Sequence, residues 1–457
     1  MSKVLYVHAK GGPPAGHALK RVAARSAVHL LALSELPAGV AAEAARLCDS
    51  VVTHATAEER DLVELITARA REVGADAVVT FSEYAVVAVA EASRRLGLRG
   101  AGPTAALARD KRLMRAAWER RGLPQPRFRS VTTAVELERA ATELTFPLLL
   151  KAAWSAGSTA HQIIATPGDL REAWQRSRAV MAESALLGYA ELHVVGAGED
   201  FIVEEIVSGC AGDWFDGSGW GDYVSVEGVV VDGVFRPVCV SGRMPTVAPF
   251  TERAGITPAA LGSAAQAGIV ELARRAVDAL GLENCGTHTE IKLGAHGRMW
   301  LIETAARFGG AMTVPQIEQV FGLDLVGMFT DQLLGGSPAW PARALTPDDA
   351  VGAAGSLVVL AVNGDGSPWA RRHLWDSASV VRSAPVSPGS TLSVVAESSL
   401  PDGALVPVYD PAAGANTMAA VCLLSADRPQ TVVDDFTAVV DALPRILPTD
   451  VTEAVRA

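Results

Sequence analysis

Lysine is scarce in this 457-residue chain, where six lysines stand beside 34 arginines. Arg, Ala, Gly and Val are favoured throughout, so each lysine kept against that background is a candidate for a specific charge. The chain has no clustered basic face with interleaved aromatics, and its net charge is -11. Both features argue against nucleic acid as a partner. No apolar run approaches the ~20 residues needed to span a bilayer, so no membrane partner is expected. The five cysteines (Cys48, Cys210, Cys239, Cys285, Cys422) are dispersed and odd in number. They indicate neither a disulfide framework nor a zinc site and fit a reducing cytoplasm. The chain opens on a strand-like run, Lys3 to His8, with no signal-peptide h-region, so a cytoplasmic location is expected. Gly11-Gly12 follows that run as a turn, but GxGxxG is absent and no dinucleotide site is implied.

What is present is globular composition, 49% apolar and 20% charged. At roughly 150 residues per domain, the length suggests about three domains. Residues 1–103 alternate short apolar strands (Val4–Val7, Val28–Ala32, Ala77–Phe81) with amphipathic helices (His17–Ala27, Ala57–Val73, Tyr84–Leu96), the pattern of a small parallel α/β domain. Residues 104–340 open with a helix, Thr104–Arg121, that Gly122 and Pro124 close. They continue mostly as strands: Phe146–Lys151, His193–Val195, Phe201–Val207, Tyr223–Val231 and Phe235–Val240. A helix is predicted at Pro258–Leu280. After the proline-containing linker 338–347, residues 341–457 read as a third α/β unit.

The most informative stretch is Gly286 to Lys292 followed by Trp300 to Gly310. If both pieces are strands joined through Gly294 to Gly297, pairing outward sets Glu290 opposite Leu301 and Glu303 opposite His288. Alternation then puts Glu290, His288 and Glu303 on one face, with the carboxylates diagonal at roughly 7 Å. Oxygen ligands so placed suit one or two hard cations. Lys151 ends the apolar strand Pro147 to Leu150, where an unpaired ammonium is costly, and Lys111 lies in the first turns of its helix. A nucleotide phosphate would be a partner for either. The small, polar loop Ser155 to Ser158 can offer backbone N–H groups and hydroxyls to a polyphosphate. In Phe201 to Gly209, two acids interrupt an apolar strand whose extended backbone can face an adenine edge.

Asp110-Lys111, Gly122 to Pro126, Phe146 to Lys151, Glu204 to Gly209, Glu290, and Glu303 to Gly310 resemble, in this order, an ATP-grasp ligase over roughly residues 1–340. The segments 221–228, 287–292 and 301–308 further resemble the L-amino-acid ligases, the bacilysin-synthesising dipeptide ligases among them. The resemblance implies an ATP-grasp fold with an N-terminal Rossmann-like α/β domain (1–103), an ATP-grasp domain (104–340) with its lid at about 141–204, and a C-terminal α/β domain (341–457). It implies ATP and magnesium as cofactors, two ions with manganese as an alternative, and amino acids as small-molecule substrates. A homodimer and a place in antibiotic biosynthesis are compatible with it.

Carried over residue by residue, Lys111, Lys151 and Ser158 hold or cover the ATP phosphates, and Glu204, Glu205 and Val207 line the adenine pocket. Glu290 and Glu303 bind metal. Arg307 and the backbone N–H of Gly310 stabilise an oxyanion, and Glu252, His288 and Ala311 meet substrate. The chain departs from the family at Thr304, where ATP-grasp proteins usually carry asparagine, and at Gly255, where the bacilysin type has histidine. Asp213 and Asp222 are both candidates for the ribose. Ala311 replaces a bulky tryptophan of the bacilysin type, so the first amino acid is expected to be larger. The expected reaction is ATP-dependent condensation of a carboxylate with an amine through an acyl-phosphate. The alternative is an ATP-grasp carboxylase or another carboxylate-amine ligase, though no biotinyl Met-Lys-Met motif is present.

Overall fold

The computed structural model describes residues 1–54, 59–186 and 200–450. The strand expected at His193–Val195 lies outside them, and the helix expected over Ala57–Val73 is described from Glu59 onward. In the N-terminal unit, β1 (Lys3–His8), β2 (Ala27–Ala32), β3 (Ser50–Thr53) and β4 (Ala77–Val79) form a parallel sheet in the order β3-β2-β1-β4. The central strand β1 is apolar on both faces because both are covered: Leu5 and Val7 pack in one cluster with Val89, while Val4 and Tyr6 pack in another with Leu19 and Val22. The four-residue strand Ser50–Thr53 and the helix Ala38–Leu47, which buries only Val40 and Ala44, are additions to the elements expected from the sequence.

The helix expected over Thr104–Arg121 is two pieces, a 3-10 turn at Ala105–Ala108 and an α-helix at Lys111–Arg120. Asp110 starts the second piece, its carboxylate accepting from the Arg112 N–H at 2.9 Å, the usual service of an N-cap acid. Lys111 is therefore the first helical residue.

A second sheet is antiparallel and ordered β5-β8-β6-β7, from β5 (Phe128–Val131), β6 (Leu148–Ala152), β7 (Gln162–Ile164) and β8 (Phe201–Glu205). Alternation sends Leu148, Leu150, Phe201 and Val203 to a core with Trp174 of the helix Leu170–Leu186. The opposite face then carries Lys151 and Glu204.

The third sheet is antiparallel and has eight strands in the order β13-β12-β9-β10-β11-β14-β16-β15. These are β9 (Tyr223–Val231), β10 (Val234–Arg243), β11 (Ala254–Thr257), β12 (Cys285–Leu293), β13 (Met299–Ala305), β14 (Ala353–Val359), β15 (Thr391–Val394) and β16 (Ala420–Ala426). β14 pairs with β11, so strands from beyond residue 341 continue the sheet that carries Glu290 and Glu303. Helices Ser263–Leu280 and Pro429–Ile446 bury their apolar stripes in the same core.

Candidate functional site

β12 and β13 pair as a hairpin, but their register differs from the expected one. Glu290 lies directly opposite Glu303, and His288 opposite Ala305, because the ladder shifts between Glu290 and Ile291 and leaves Ile302 as an extra residue on β13. The two carboxylates are thus cross-strand neighbours rather than diagonal ones. Like charges set directly opposite are destabilising, and here cations adjoin both. Lys111 Nζ is 3.3 Å from Glu303 Oε2, and His288 Nε2 is 3.5 Å from Glu290 Oε1.

His288 shares that face and is held from behind, its Nδ1 donating to Glu227 Oε1 at 2.5 Å. Burial alone would push the imidazole down, but Glu227 and Glu290 together carry it up to about 9, so it is an imidazolium. Glu290, which burial would raise, is held low by His288, Arg243 and Arg307. Glu227 also accepts from the Gly309 N–H at 3.1 Å. Only glycine fits at 309, since a β-carbon there would come within 2.9 Å of both Glu227 Oε2 and His288 Nδ1.

Among the described residues, no group of three or more His, Cys, Asp or Glu side chains is arranged to hold a metal ion. The chain therefore offers a hard cation two opposed carboxylates. Magnesium fits such a donor set, since it is commonly bound through one or two carboxylates with phosphate oxygens and water completing the shell.

The second cluster lies on the polar face of the β5-β8-β6-β7 sheet. Lys151 is 6% exposed and Glu204 is 2% exposed. Lys151 Nζ lies 2.7 Å from Glu204 Oε2, and Arg115 Nε donates to Glu204 Oε1 at 2.7 Å. Burial would raise the Glu204 carboxyl, but Arg115 and Lys151 bring it down to about 2. The buried ammonium of Lys151 thus has a carboxylate partner within the chain. Arg115 Nη1 also donates to the Leu301 carbonyl at 2.8 Å, which ties this cluster to β13.

Glu205 points the other way and pairs with Arg127 at 2.8 Å. The strand expected to reach Val207 ends at Glu205, and the Ile206 N–H donates to the Pro147 carbonyl at 3.3 Å. Val207 therefore lies beyond the ladder. Lys111 Nζ donates to the Ser155 carbonyl at 2.6 Å, joining the helix start to the small-residue loop. Ser158 has φ +61°, and its hydroxyl donates to the Phe250 carbonyl at 3.0 Å. Of the two ribose candidates, Asp222 pairs with Lys292 at 2.7 Å, and Asp213 accepts from the His296 N–H at 2.8 Å.

Arg307, Gly310 and Ala311 follow β13, whereas Glu252 precedes β11 and His288 lies in β12. Arg307 Nε lies 2.6 Å from Glu83 Oε2, and its Nη1 donates to the Phe308 carbonyl at 2.9 Å. Gly310 approaches the backbone of Gly12. Ala311 adopts φ +50°, a left-handed conformation uncommon outside glycine. Glu252 Oε1 faces Arg243 Nε at 3.1 Å, and a β-carbon on Gly255 would come 3.3 Å from that same oxygen. Arg243, Arg115, Arg109, Glu227 and Glu83 are fully buried charged residues that the sequence reading did not single out. The available signal was a charged residue within an apolar strand, as at Glu227 in β9.

The ATP-grasp domain family matches residues 144–315, and the ATP-grasp N-terminal domain family matches residues 26–100. The chain belongs to the ATP-grasp superfamily, whose members use ATP with a divalent metal. It is similar to alanine–anticapsin ligase of Bacillus subtilis (strain 168), with 38% identity over 282 residues that cover 62% of this chain and 58% of that one. The chain thus matches little more than half the length of this curated relative. In structure it is similar to an L-amino acid ligase from Bacillus licheniformis, with TM-score 0.72, 18% identity and 98% of each chain covered. It is also similar to a Campylobacter jejuni biotin carboxylase in its β-γ-ATP complex, with TM-score 0.65, 16% identity, and 98% of this chain and 92% of that one covered. No helix among the described residues is long and apolar enough to cross a membrane.

Proposed function

We propose that the protein is an ATP-dependent carboxylate-amine ligase that joins the carboxylate of one L-amino acid to the amine of another. The observation that carries this reading is the opposition of Glu290 and Glu303 on a face that also holds His288, with Lys111 reaching from a separate helix to Glu303. The similarity to alanine–anticapsin ligase supports amino acids as substrates.

In this reading Lys111 and Lys151 hold the phosphate chain, and Ser158 with its loop covers it. The Glu204 carboxylate is taken up by Arg115 and Lys151, so the adenine edge falls to the backbone of residues 205–207. Glu290 and Glu303 would hold magnesium, two ions in the fullest form, which would offset phosphate charge and polarise the transferred phosphoryl group. The first substrate's carboxylate attacks the γ-phosphorus, ADP leaves, and an acyl-phosphate remains. Attack by the second substrate's amine then expels phosphate and leaves an amide. Arg307 and the Gly310 N–H offer donors to the oxygen that gains charge. Glu252 is suited to the first substrate's ammonium, and Ala311 leaves room for a side chain larger than methyl.

Phosphate release measured over a matrix of amino-acid pairs with ATP and magnesium tests the reading. Release dependent on both amino acids, with the amide found by mass spectrometry, is expected. Release no greater than with ATP alone across the whole matrix sinks it.

A further inference from the structure

Glu83 belongs to the N-terminal unit, in the turn after β4, yet its carboxylate is buried against residues of the central region. It is 1% exposed. Oε2 lies 2.6 Å from Arg307 Nε, and Oε1 lies 3.5 Å from Arg109 Nε. Burial would push this carboxyl up, but Arg307, Arg109 and Lys111 hold it below its ordinary value, so it is ionised. The backbone is fixed as well. The Glu83 N–H donates to the Gly11 carbonyl at 2.5 Å, and a β-carbon on Gly11 would come 3.0 Å from the Glu83 Cβ.

Arg109 extends the contact toward the phosphate loop. Its Nη2 donates to the Trp154 carbonyl at 2.5 Å, and its guanidinium lies over the Tyr84 ring at 4.8 Å and the Trp154 ring at 5.5 Å. One carboxylate thus joins the end of β13 to the segment before Lys111 and, through Arg109, to Trp154.

We propose that Glu83 is a positioning residue for Arg307, an assignment that rests on the reading of Arg307 as the oxyanion donor. A free arginine side chain samples many rotamers, whereas here Nε faces Glu83 and Nη1 donates to the Phe308 carbonyl. Nε thus lies against the Glu83 charge and Nη1 is held by the Phe308 carbonyl, which in this reading leaves Nη2 for the reacting oxygen. The chemical step then depends on the N-terminal unit, which supplies none of the metal or phosphate ligands proposed above.

The test is a double-mutant cycle in the phosphate-release assay. Glu83→Gln is expected to lower kcat by about 10- to 100-fold, the scale of a small misplacement of a catalytic group, while the KM for ATP stays at its wild-type value. In an Arg307→Lys background the same change is expected to cost nothing further, because the group that Glu83 orients is already gone. Losses that multiply, or an undiminished kcat in Glu83→Gln, overturn the proposal. A purely structural role would lower the thermal midpoint and the folded fraction without producing that non-additivity. Should the glutamine variant not fold, Glu83→Asp serves: it keeps the charge but withdraws it from Nε, so kcat falls, and an unchanged kcat overturns the proposal. Wild-type kcat in Arg307→Lys alone would instead sink the reading of Arg307 and leave the placement of Glu83 without a function to serve.

Discussion

The two charge clusters differ in composition: one buried carboxylate between two cations in the first, two opposed and half-buried carboxylates among several cations in the second. Around Glu204 a single carboxylate meets two cations, Arg115 and Lys151. On β12 and β13 the carboxylates of Glu290 and Glu303 face each other with Glu227 behind them, against Lys111 and His288. In the proposed reading the cluster around Glu204 meets an anion and the hairpin carboxylates meet a cation. An ATP–magnesium complex brings one of each.

The largest expected effect comes from removing charge at the hairpin. Glu303→Gln should lower turnover on the order of 1,000-fold, since several kcal/mol of charge stabilisation are lost with the metal, while circular dichroism stays as in wild type. Undiminished turnover would contradict the metal assignment. Next, Glu204→Gln leaves Arg115 and Lys151 buried around a neutral amide. Breaking such a buried set costs about 3–5 kcal/mol, read as a lowered midpoint in urea. A variant as stable as wild type would mean that these cations do not depend on Glu204.

The same cluster has a defined pH window. Glu204 is brought down from its ordinary 4.5 to about 2. A depressed carboxylate contributes stability that is fully present above 4.5 and lost as pH falls through about 2. The stability gap between wild type and Glu204→Gln should therefore be constant above pH 4.5 and close on acidification toward pH 2. A gap that instead closes above neutrality would assign the effect to another group.

At the substrate end the expected change is in selectivity. Ala311 already carries a β-carbon at φ +50°, so Ala311→Trp adds mainly a ring, and the site narrows. Discrimination by pocket volume is worth roughly 10- to 200-fold. The ratio of kcat/KM for a small over a large first amino acid should rise by an amount in that range, and an unchanged ratio would remove Ala311 from the pocket.

Much of this was legible in the sequence because a charged residue in an apolar alternation is visible without a fold. Lys151, Glu290 and Glu303 stood out in that way, and so did the parallel strands of the N-terminal unit. The register of the hairpin was not legible, because the extra residue at Ile302 alters which side chains oppose without altering the local pattern. Nor was the pairing of Glu83 with Arg307, which depends on how two distant segments pack. Neither residue type nor spacing marks an acid in a turn as the counter-charge of an arginine so far along the chain. The edge strands β3 and β15 escaped notice because each is only four residues long, too short for alternation to stand out.

The smallest expected effect sharpens the comparison most closely, because it concerns the residue next to Glu204. Adjacent positions on β8 point to opposite faces, and Glu205 pairs with an Arg127 side chain that is 59% exposed while also accepting from the Thr145 N–H at 2.9 Å. Water screens that pair, and exposed pairs contribute up to about 1 kcal/mol. Glu205→Gln should accordingly shift the urea midpoint far less than Glu204→Gln and leave the KM for ATP unchanged, since only the backbone at 205 is assigned to the nucleotide. Equal losses at the two positions would show that the cost belongs to the strand end, and the contrast between a charge held in a buried cluster and one held at the surface would fail.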